Sequence, residues 1–344
     1  MQYLSQINFR NLLTPRLEFA PGVTAVVGQN AAGKSNLLAA LYLGCTGDLP
    51  RGKIGETVRL GEAEGYVNVA VERSDGVTNI EIGLAPGRKL IRIDGQTRRA
   101  LDVSRVAAAV LITPEDGDLI HGSPSGRRGY LDSLLSKVSL RYALLLREYS
   151  RVVEQRNAAL KQYGDPTLEV WTDKFLELGQ EIVNLRVRAM GRVTDIAREA
   201  YGDVASDHKT LQVTLQSASA APLAEQLAMS AQEERARGVT VVGPHRDDLT
   251  VELDDHSVQA YGSRGEARTA SLALRVAEYR LLSEKHGEAP VLLLDDFTAE
   301  LDARRRAFVL ELAAATPQAI VTGTETPPQY TSLYQVSGGQ FSRA

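Results

Sequence analysis

Two stretches at opposite ends of this chain belong to one chemical site. Residues 28–35 read Gly28-Gln29-Asn30-Ala31-Ala32-Gly33-Lys34-Ser35, the GxxxxGK[ST] pattern of a phosphate-binding loop. Residues 291–296 read Val291-Leu292-Leu293-Leu294-Asp295-Asp296. That is an aliphatic run ending in paired acids, as expected of the strand that completes a magnesium–nucleotide site. Lys34 and Asp295 lie 261 positions apart (295 − 34). The fold has to close that gap around ATP and Mg2+.

The loop needs glycine because its backbone must curl with N–H groups aimed at the phosphates, and Gly28 and Gly33 supply that freedom. Gln29, Asn30, Ala31 and Ala32 complete the curl, and Asn36 follows in the first helical turn. Lys34 is expected on the β- and γ-phosphates and Ser35 on Mg2+. The helix opening near Lys34 adds the positive end of its dipole. Asp295 is expected to reach the metal through water, and Asp296 to orient or deprotonate the attacking water. Alone, such an acidic strand end reads equally well as solvated surface; the phosphate loop decides between the two.

Ser263-Arg264-Gly265-Glu266 stands 32 positions before Asp295 (295 − 263) and opens a Leu/Ala-rich helical stretch. A Ser-x-Gly signature upstream of the acidic strand separates ATPases of the ABC type from other P-loop proteins. Ser263 can cap the helix, and Gly265 lets a phosphate approach the backbone. In such enzymes the signature of one copy closes over the nucleotide of another. The expectation is therefore an ATP-dependent homodimer, with Ser263 and Gly265 acting on the partner's ATP. Asp302 falls where an inter-subunit aspartate would lie. Asp296 departs from the Glu usual in ABC ATPases. Its carboxylate sits roughly 1 Å further back, a misplacement that can cost about 10²-fold in rate. Slow hydrolysis follows, with ATP serving as a clamp.

Apolar spacing places strands at Tyr3–Phe9 and Val23–Val27, then an antiparallel meander through Tyr66–Val71, Val77–Ile82 and Lys89–Ile93. Val106–Ile112 reads as a buried strand. From about 125 to 163 and 168 to 200 the spacing turns helical, too short and irregular for a long coiled coil. Strands are expected at Leu211–Leu215, Val239–Val242, Asp248–Leu253, Ser257–Ala260, Val291–Leu294 and Ala319–Thr322. Helices are expected at Leu223–Arg237, Glu266–Glu284 and Ala303–Ala315. The fold class is α/β: an ABC/SMC-type P-loop ATPase head with a helical second lobe. Lobe I is discontinuous, 1–120 with 290–344, and lobe II, 121–289, carries the helical insertion and the signature.

Further motifs are Asn8-Phe9-Arg10-Asn11, Thr113-Pro114-Glu115-Asp116, Gly122-Ser123-Pro124, Arg127-Arg128-Gly129-Tyr130-Leu131-Asp132, and Leu294-Asp295-Asp296-Phe297 with Glu300-Leu301-Asp302. On these the sequence resembles the RecF family, related to SMC ATPases, nearly end to end. Gly243-Pro244-His245-Arg246-Asp247-Asp248 is the most diagnostic piece, because a generic ABC subunit lacks it. The resemblance implies a protein of recombinational repair that binds DNA near single-strand/double-strand junctions. It further implies work with RecR and RecO to load RecA at gaps. The main alternative, a transporter's energising subunit, should show Gln and His in its switch loops and Glu at 296. Here Glu115 and Thr322 stand near those loop positions; Thr322 can donate a hydrogen bond but not relay a proton. A small-molecule kinase would function without Ser263.

Net charge is −4, so any DNA surface must be a local patch. Candidates are Arg51 with Lys53; Arg88, Lys89, Arg92, Arg98 and Arg99; Arg127 with Arg128; Arg141, Arg147 and Arg151; and Arg304–Arg306. No aromatic residues interleave them, which favours backbone contacts without sequence reading over base stacking. His245 has no Cys/His partner at ligand spacing and reads as a polar anchor. The single cysteine, Cys45, excludes an internal disulfide and reads as buried filler. Neither a signal peptide nor a membrane-spanning run is seen, so a cytoplasmic protein is expected.

Overall fold

The computed structural model describes residues 1–162, 164–205, 207–218, 221–297 and 302–344. They form two compact units, 1–116 with 278–344, and 117–277. No described helix is long and apolar enough to cross a membrane.

The first unit holds two six-stranded sheets. One is antiparallel, in the order Arg16–Glu18, Tyr3–Ile7, Gly65–Arg73, Gly76–Ala85, Arg88–Ile93, Gln96–Arg98. Its strands alternate, burying Val67 and Val69, then Ile80, Ile82 and Leu84, on one face. The other runs Gln340–Arg343, Ser332–Ser337, Gly22–Val27, Gln318–Gly323, Val291–Leu294, Ala109–Ile112. It is parallel except for the final hairpin. Val291–Leu294 and Ala109–Ile112 are continuous aliphatic runs, buried at every residue.

Helix Lys34–Thr46 packs against strands of both sheets and is apolar all round for that reason. A methyl group at Gly44 would lie 2.5 Å from a Val69 side-chain atom, so only glycine lets the helix approach this closely. Cys45 is buried here, and burial pushes its thiol up to about 11.

Register places the two motifs at one end of the parallel sheet. Val27 pairs with Gly323, and Leu294 pairs with Val321 and Ile112. The phosphate loop and the acids therefore both emerge at the carboxyl ends of strands, where open α/β sheets bind ligands.

The second unit carries helices Pro124–Val138, Leu140–Leu160, Leu168–Val204 and Leu223–Arg237, with a three-stranded sheet of His256–Ser257, Leu249–Leu253 and Leu211–Leu215. Its longest helix has 37 residues, about 55 Å. That is far short of a long coiled coil, as the spacing predicts. Helix Arg264–His286 begins in this unit and ends in the first.

Two expected strands are not strands. At Val239–Val242 side chains take the place of a neighbouring strand: Asn157 accepts from Thr240 N–H at 2.7 Å and Glu234 from Val241 N–H at 2.9 Å. At Ser257–Ala260 the strand stops at Ser257, whose hydroxyl caps the short helix Val258–Tyr261. The hairpin Ser332–Ser337 with Gln340–Arg343 goes unanticipated, although its strands bury Tyr334, Val336 and Phe341. Gly338 and Gly339, both at positive φ, make its turn.

Candidate functional site

The phosphate loop is shaped by its glycines and by the chain's last hairpin. Gly33 has φ 117°, a conformation closed to L side chains, and a Cβ on Gly28 would meet the Val336 carbonyl oxygen at 2.3 Å. Gly339 N–H donates to Ala32 O at 2.8 Å, tying hairpin to loop. The Lys34 ammonium donates to the carbonyls of Gly28 (2.7 Å) and Gln29 (3.0 Å), so it is held across the curl it would share with phosphate. Asn36 accepts from Arg10 and donates to Asn11, both at 2.8 Å, fixing the first helical turn. Nothing in the spacing of residues 8–11 announces this brace. A cleft of about 960 Å³ flanks the loop between Leu13–Pro15 and the final hairpin. It borders residues 28–32 but not Lys34, Ser35 or Asp295, so it lies beside the Ser35–Asp295 pair rather than over it.

Ser35, Asp295 and Thr322 converge at the strand ends. Asp295 Oδ1 accepts from Ser35 Oγ at 3.1 Å and from Thr322 Oγ1 at 2.8 Å. Thr322 Oγ1 in turn accepts from Asp296 N–H at 2.9 Å. One hydroxyl thus locates both acids. Asp296 has φ 42°, a left-handed conformation costly for a non-glycine residue, and this turns the chain at the strand end. Burial raises the Asp295 carboxyl above the usual carboxylate range, against the two hydroxyl hydrogen bonds and with help from the charges of Glu115 and Asp296. Glu115 also pairs with Arg51 at 3.6 Å.

This donor set fits Mg2+. The described residues hold no cluster of three or more His, Cys, Asp or Glu side chains fit for a metal. One hydroxyl and one carboxylate, with phosphates and waters completing the shell, is how magnesium is commonly held. A buried carboxylate with raised affinity for protons is also one that a cation stabilises.

Ser263 and Gly265 belong to the second unit, whereas the loop and both acids belong to the first. Ser263 is exposed, directly before the helix Arg264–His286. Its hydroxyl accepts from Glu266 N–H at 3.2 Å, the expected cap. Asp302 caps helix Ala303–Ala315, accepting from Arg305 N–H at 2.9 Å. Glu300 and Leu301 lie outside the described residues.

The Gly243–Asp248 motif is the knot of the second unit. A Cβ on Gly243 would lie 2.8 Å from Phe175 and Tyr149 atoms, and its φ is 114°. Asp248 receives a two-pronged bond from Arg127 at 2.7 and 2.8 Å. Arg127 is therefore buried structure rather than a DNA contact. Arg186, 1% exposed at its side chain, donates to Pro244 O, Asp247, Asp132 and Tyr142. His245 meets the Tyr149 hydroxyl at 2.8 Å and Thr240 O at 3.2 Å, an anchor as its sequence context predicts.

Burial lowers the His245 pKa from 6.5 to about 4, against the pull of the Thr240 carbonyl and with added repulsion from Arg246, Arg128 and Arg156. The unfolded chain therefore takes up this proton first as pH falls. The group's contribution to stability is complete above pH 6.5 and is lost between 6.5 and about 4. Urea unfolding should show the wild type losing about 2 kcal/mol more than His245→Gln between pH 7 and pH 5. Equal losses would mean that His245 titrates normally in the folded chain.

The loop, the acid-ended strand and the capped serine on this α/β frame define a P-loop ATPase head of the ABC/SMC type. Residues 1–337 match the family described as RecF/RecN/SMC N terminal domain. The DNA replication and repair protein RecF of Deinococcus radiodurans is 48% identical over 340 residues, 98% of this chain and 94% of that protein. Its counterpart in Deinococcus deserti is 46% identical, covering 99% and 95%. The chain belongs to the RecF family. A solved structure of RecF-ATP, described as a recombination mediator protein in the RecFOR pathway, matches with a TM-score of 0.93 at 29% identity, covering 100% of this chain and 97% of that one. The Smc head of Pyrococcus furiosus, 17% identical with a TM-score of 0.58 over 100% of this chain and 95% of that one, shares the fold alone.

Proposed function

We propose that this chain is an ATP-operated DNA clamp for recombinational repair of gapped DNA. ATP binds the loop of one copy, Lys34 and the N–H groups of residues 28–36 hold its phosphates, and Ser35 with Asp295 holds Mg2+. Ser263 and Gly265 of a second copy close over the γ-phosphate, and the closed pair grips DNA near single-strand/double-strand junctions. RecR and RecO then join it in loading RecA. The convergence of the Ser35 and Thr322 hydroxyls on one Asp295 carboxylate oxygen supports this reading most directly. The relatives' names, RecF throughout, favour repair over a transporter subunit. Light scattering at several concentrations tests the reading: Mg·ATP should double the mass. A strictly monomeric chain in saturating Mg·ATP and duplex DNA would overturn it.

Hydrolysis in this scheme is slow, because Asp296 sets its carboxylate back from the water that a glutamate would reach. Asp296→Glu should raise steady-state turnover about tenfold to a hundredfold. Fast DNA-independent turnover in the wild type, unchanged in the variant, would remove the clamp interpretation.

DNA contact is assigned to the edge of the antiparallel sheet. Lys89 is committed to Asp48, and Arg141 to Glu181. Arg88, Arg92 and Arg98 are exposed on the last strands of the meander, Arg88 with an exposed ion pair to Glu64 at 3.9 Å. Duplex binding should weaken steeply with salt and ignore sequence, and replacing these three by Ala should lower the slope of log K against log salt by about 2–3. An unchanged slope would place the phosphate contacts elsewhere.

A further inference from the structure

The signature serine is held by more than its own helix. Ser263 Oγ accepts from Glu266 N–H at 3.2 Å, and Glu266 Oε2 accepts from Ser263 N–H at 2.7 Å. This reciprocal pair is a capping box. Such a box uses one carboxylate oxygen. Here the other, Oε1, accepts from the Lys209 ammonium. Lys209 comes from the stretch leading into strand Leu211–Leu215, and it is itself pinned. Its N–H donates to Asp207 at 3.2 Å, and the next residue's N–H donates to Asp254 at 2.9 Å. Lys209, Asp254 and Glu266, with Tyr261 and Gly262, line a cleft of about 400 Å³ beside the signature. The Glu266 carboxyl is held down to about 2, chiefly by the Lys209 hydrogen bond and then by those of Ser263.

We infer that Lys209 is a positioning residue for the signature: by fixing the rotamer of Glu266 it sets the tilt of Ser263. With its oxygen accepting from Glu266 N–H, the Ser263 hydroxyl can still donate its proton toward a phosphate. A lone capping carboxylate would let the turn 262–265 rock about the helix end. A carboxylate clamped at both oxygens, from two separate segments, does not. The inference rests on the reading that this turn closes on a second copy's nucleotide, and it deepens that reading by naming what aims the turn.

Both side chains are partly exposed, so each bond is modest. Removing Lys209 should alter local order about threefold to fivefold. A dimer contains two signatures, so the effect on pairing should be the square of that, on the order of tenfold or more.

The test uses the full chain with Lys209→Ala, Lys209→Arg, Glu266→Ala and the Lys209→Ala/Glu266→Ala double variant. Amide hydrogen exchange over residues 263–267, measured without nucleotide, should quicken about threefold to fivefold in Lys209→Ala and recover in Lys209→Arg. The double variant should match Glu266→Ala alone, because Lys209 acts only through that carboxylate. Light scattering should show ATP-driven pairing of Lys209→Ala weakened about tenfold. The affinity of the single chain for a fluorescent ATP should stay within about twofold of wild type, since the phosphate loop belongs to the other unit. Unchanged exchange at Ser263 and Glu266 in Lys209→Ala overturns the inference. So does a Lys209→Ala effect that persists undiminished beside Glu266→Ala. If the wild type fails to pair in ATP, the dimer reading falls, and the exchange data alone still decide whether Lys209 braces the turn.

Discussion

A Ser263→Arg chain is expected to bind ATP as the wild type does and to remain monomeric in saturating Mg·ATP. The phosphate loop, Ser35 and Asp295 all lie in the first unit, and Ser263 is an exposed residue of the second. The new side chain therefore replaces no core atom. It removes the cap of helix Arg264–His286, a loss of about 1 kcal/mol. In the proposed dimer its larger effect is steric: a long guanidinium would stand where the second copy's phosphate approaches Ser263 and Gly265. If each blocked site costs about 1.4 kcal/mol or more, the two sites of a dimer weaken pairing on the order of a hundredfold. Ser263→Ala, which loses the donor without adding bulk, should fall between. Light scattering against protein concentration reads all three chains. Pairing of Ser263→Arg at wild-type concentrations would mean that the signature is not in the interface.

Arg186→Ala is expected to be the most destabilising single substitution in the second unit. Arg186 is the guanidinium on which Asp132, Asp247, Tyr142 and the Pro244 carbonyl converge. Burial disfavours its charge, but Asp132 and Tyr142 more than compensate, and its pKa is raised. Cutting it back to Ala leaves the Asp247 carboxylate buried without its cation, which costs about 3–5 kcal/mol. Arg186→Lys should recover little, because an ammonium cannot reach four acceptors arranged around a planar fork. Urea unfolding of the full chain measures both. A loss below about 1 kcal/mol would show that water enters and solvates these carboxylates.

The nucleotide end of the fold was legible because its sequence is governed by local rules. A loop that wraps phosphate needs glycine at fixed offsets, and a strand buried on both faces has to be aliphatic, so residues 28–36 and 291–296 declare themselves. The meander was legible through alternation and its Gly-containing turns. What stayed hidden depends on partners distant in sequence. Val239–Val242 has the composition of a strand, yet Asn157 and Glu234 reach its backbone first. Thr322 reads from the sequence as a donor, but no spacing says that it binds the Asp295 carboxylate and the Asp296 amide together. Arg127 looks cationic and available in the sequence, and only Asp248, 121 positions away, makes it internal. Motif chemistry is written in neighbouring residues, whereas the choice between a free arginine and a bound one is made by the fold.

The stitch between Gly339 and Ala32 has a bearing on how the protein is made. The strand, loop and helix that cradle phosphate leave the ribosome early, but the hairpin they lean on is translated 307 residues later (339 − 32). At about 5–20 residues per second that is a delay of roughly 15–60 s. During biosynthesis the nascent polypeptide would carry a recognisable ATP motif for that whole interval before the loop gains its brace, so on the proposed pairing a half-made copy would meet a finished one with its loop still unbraced.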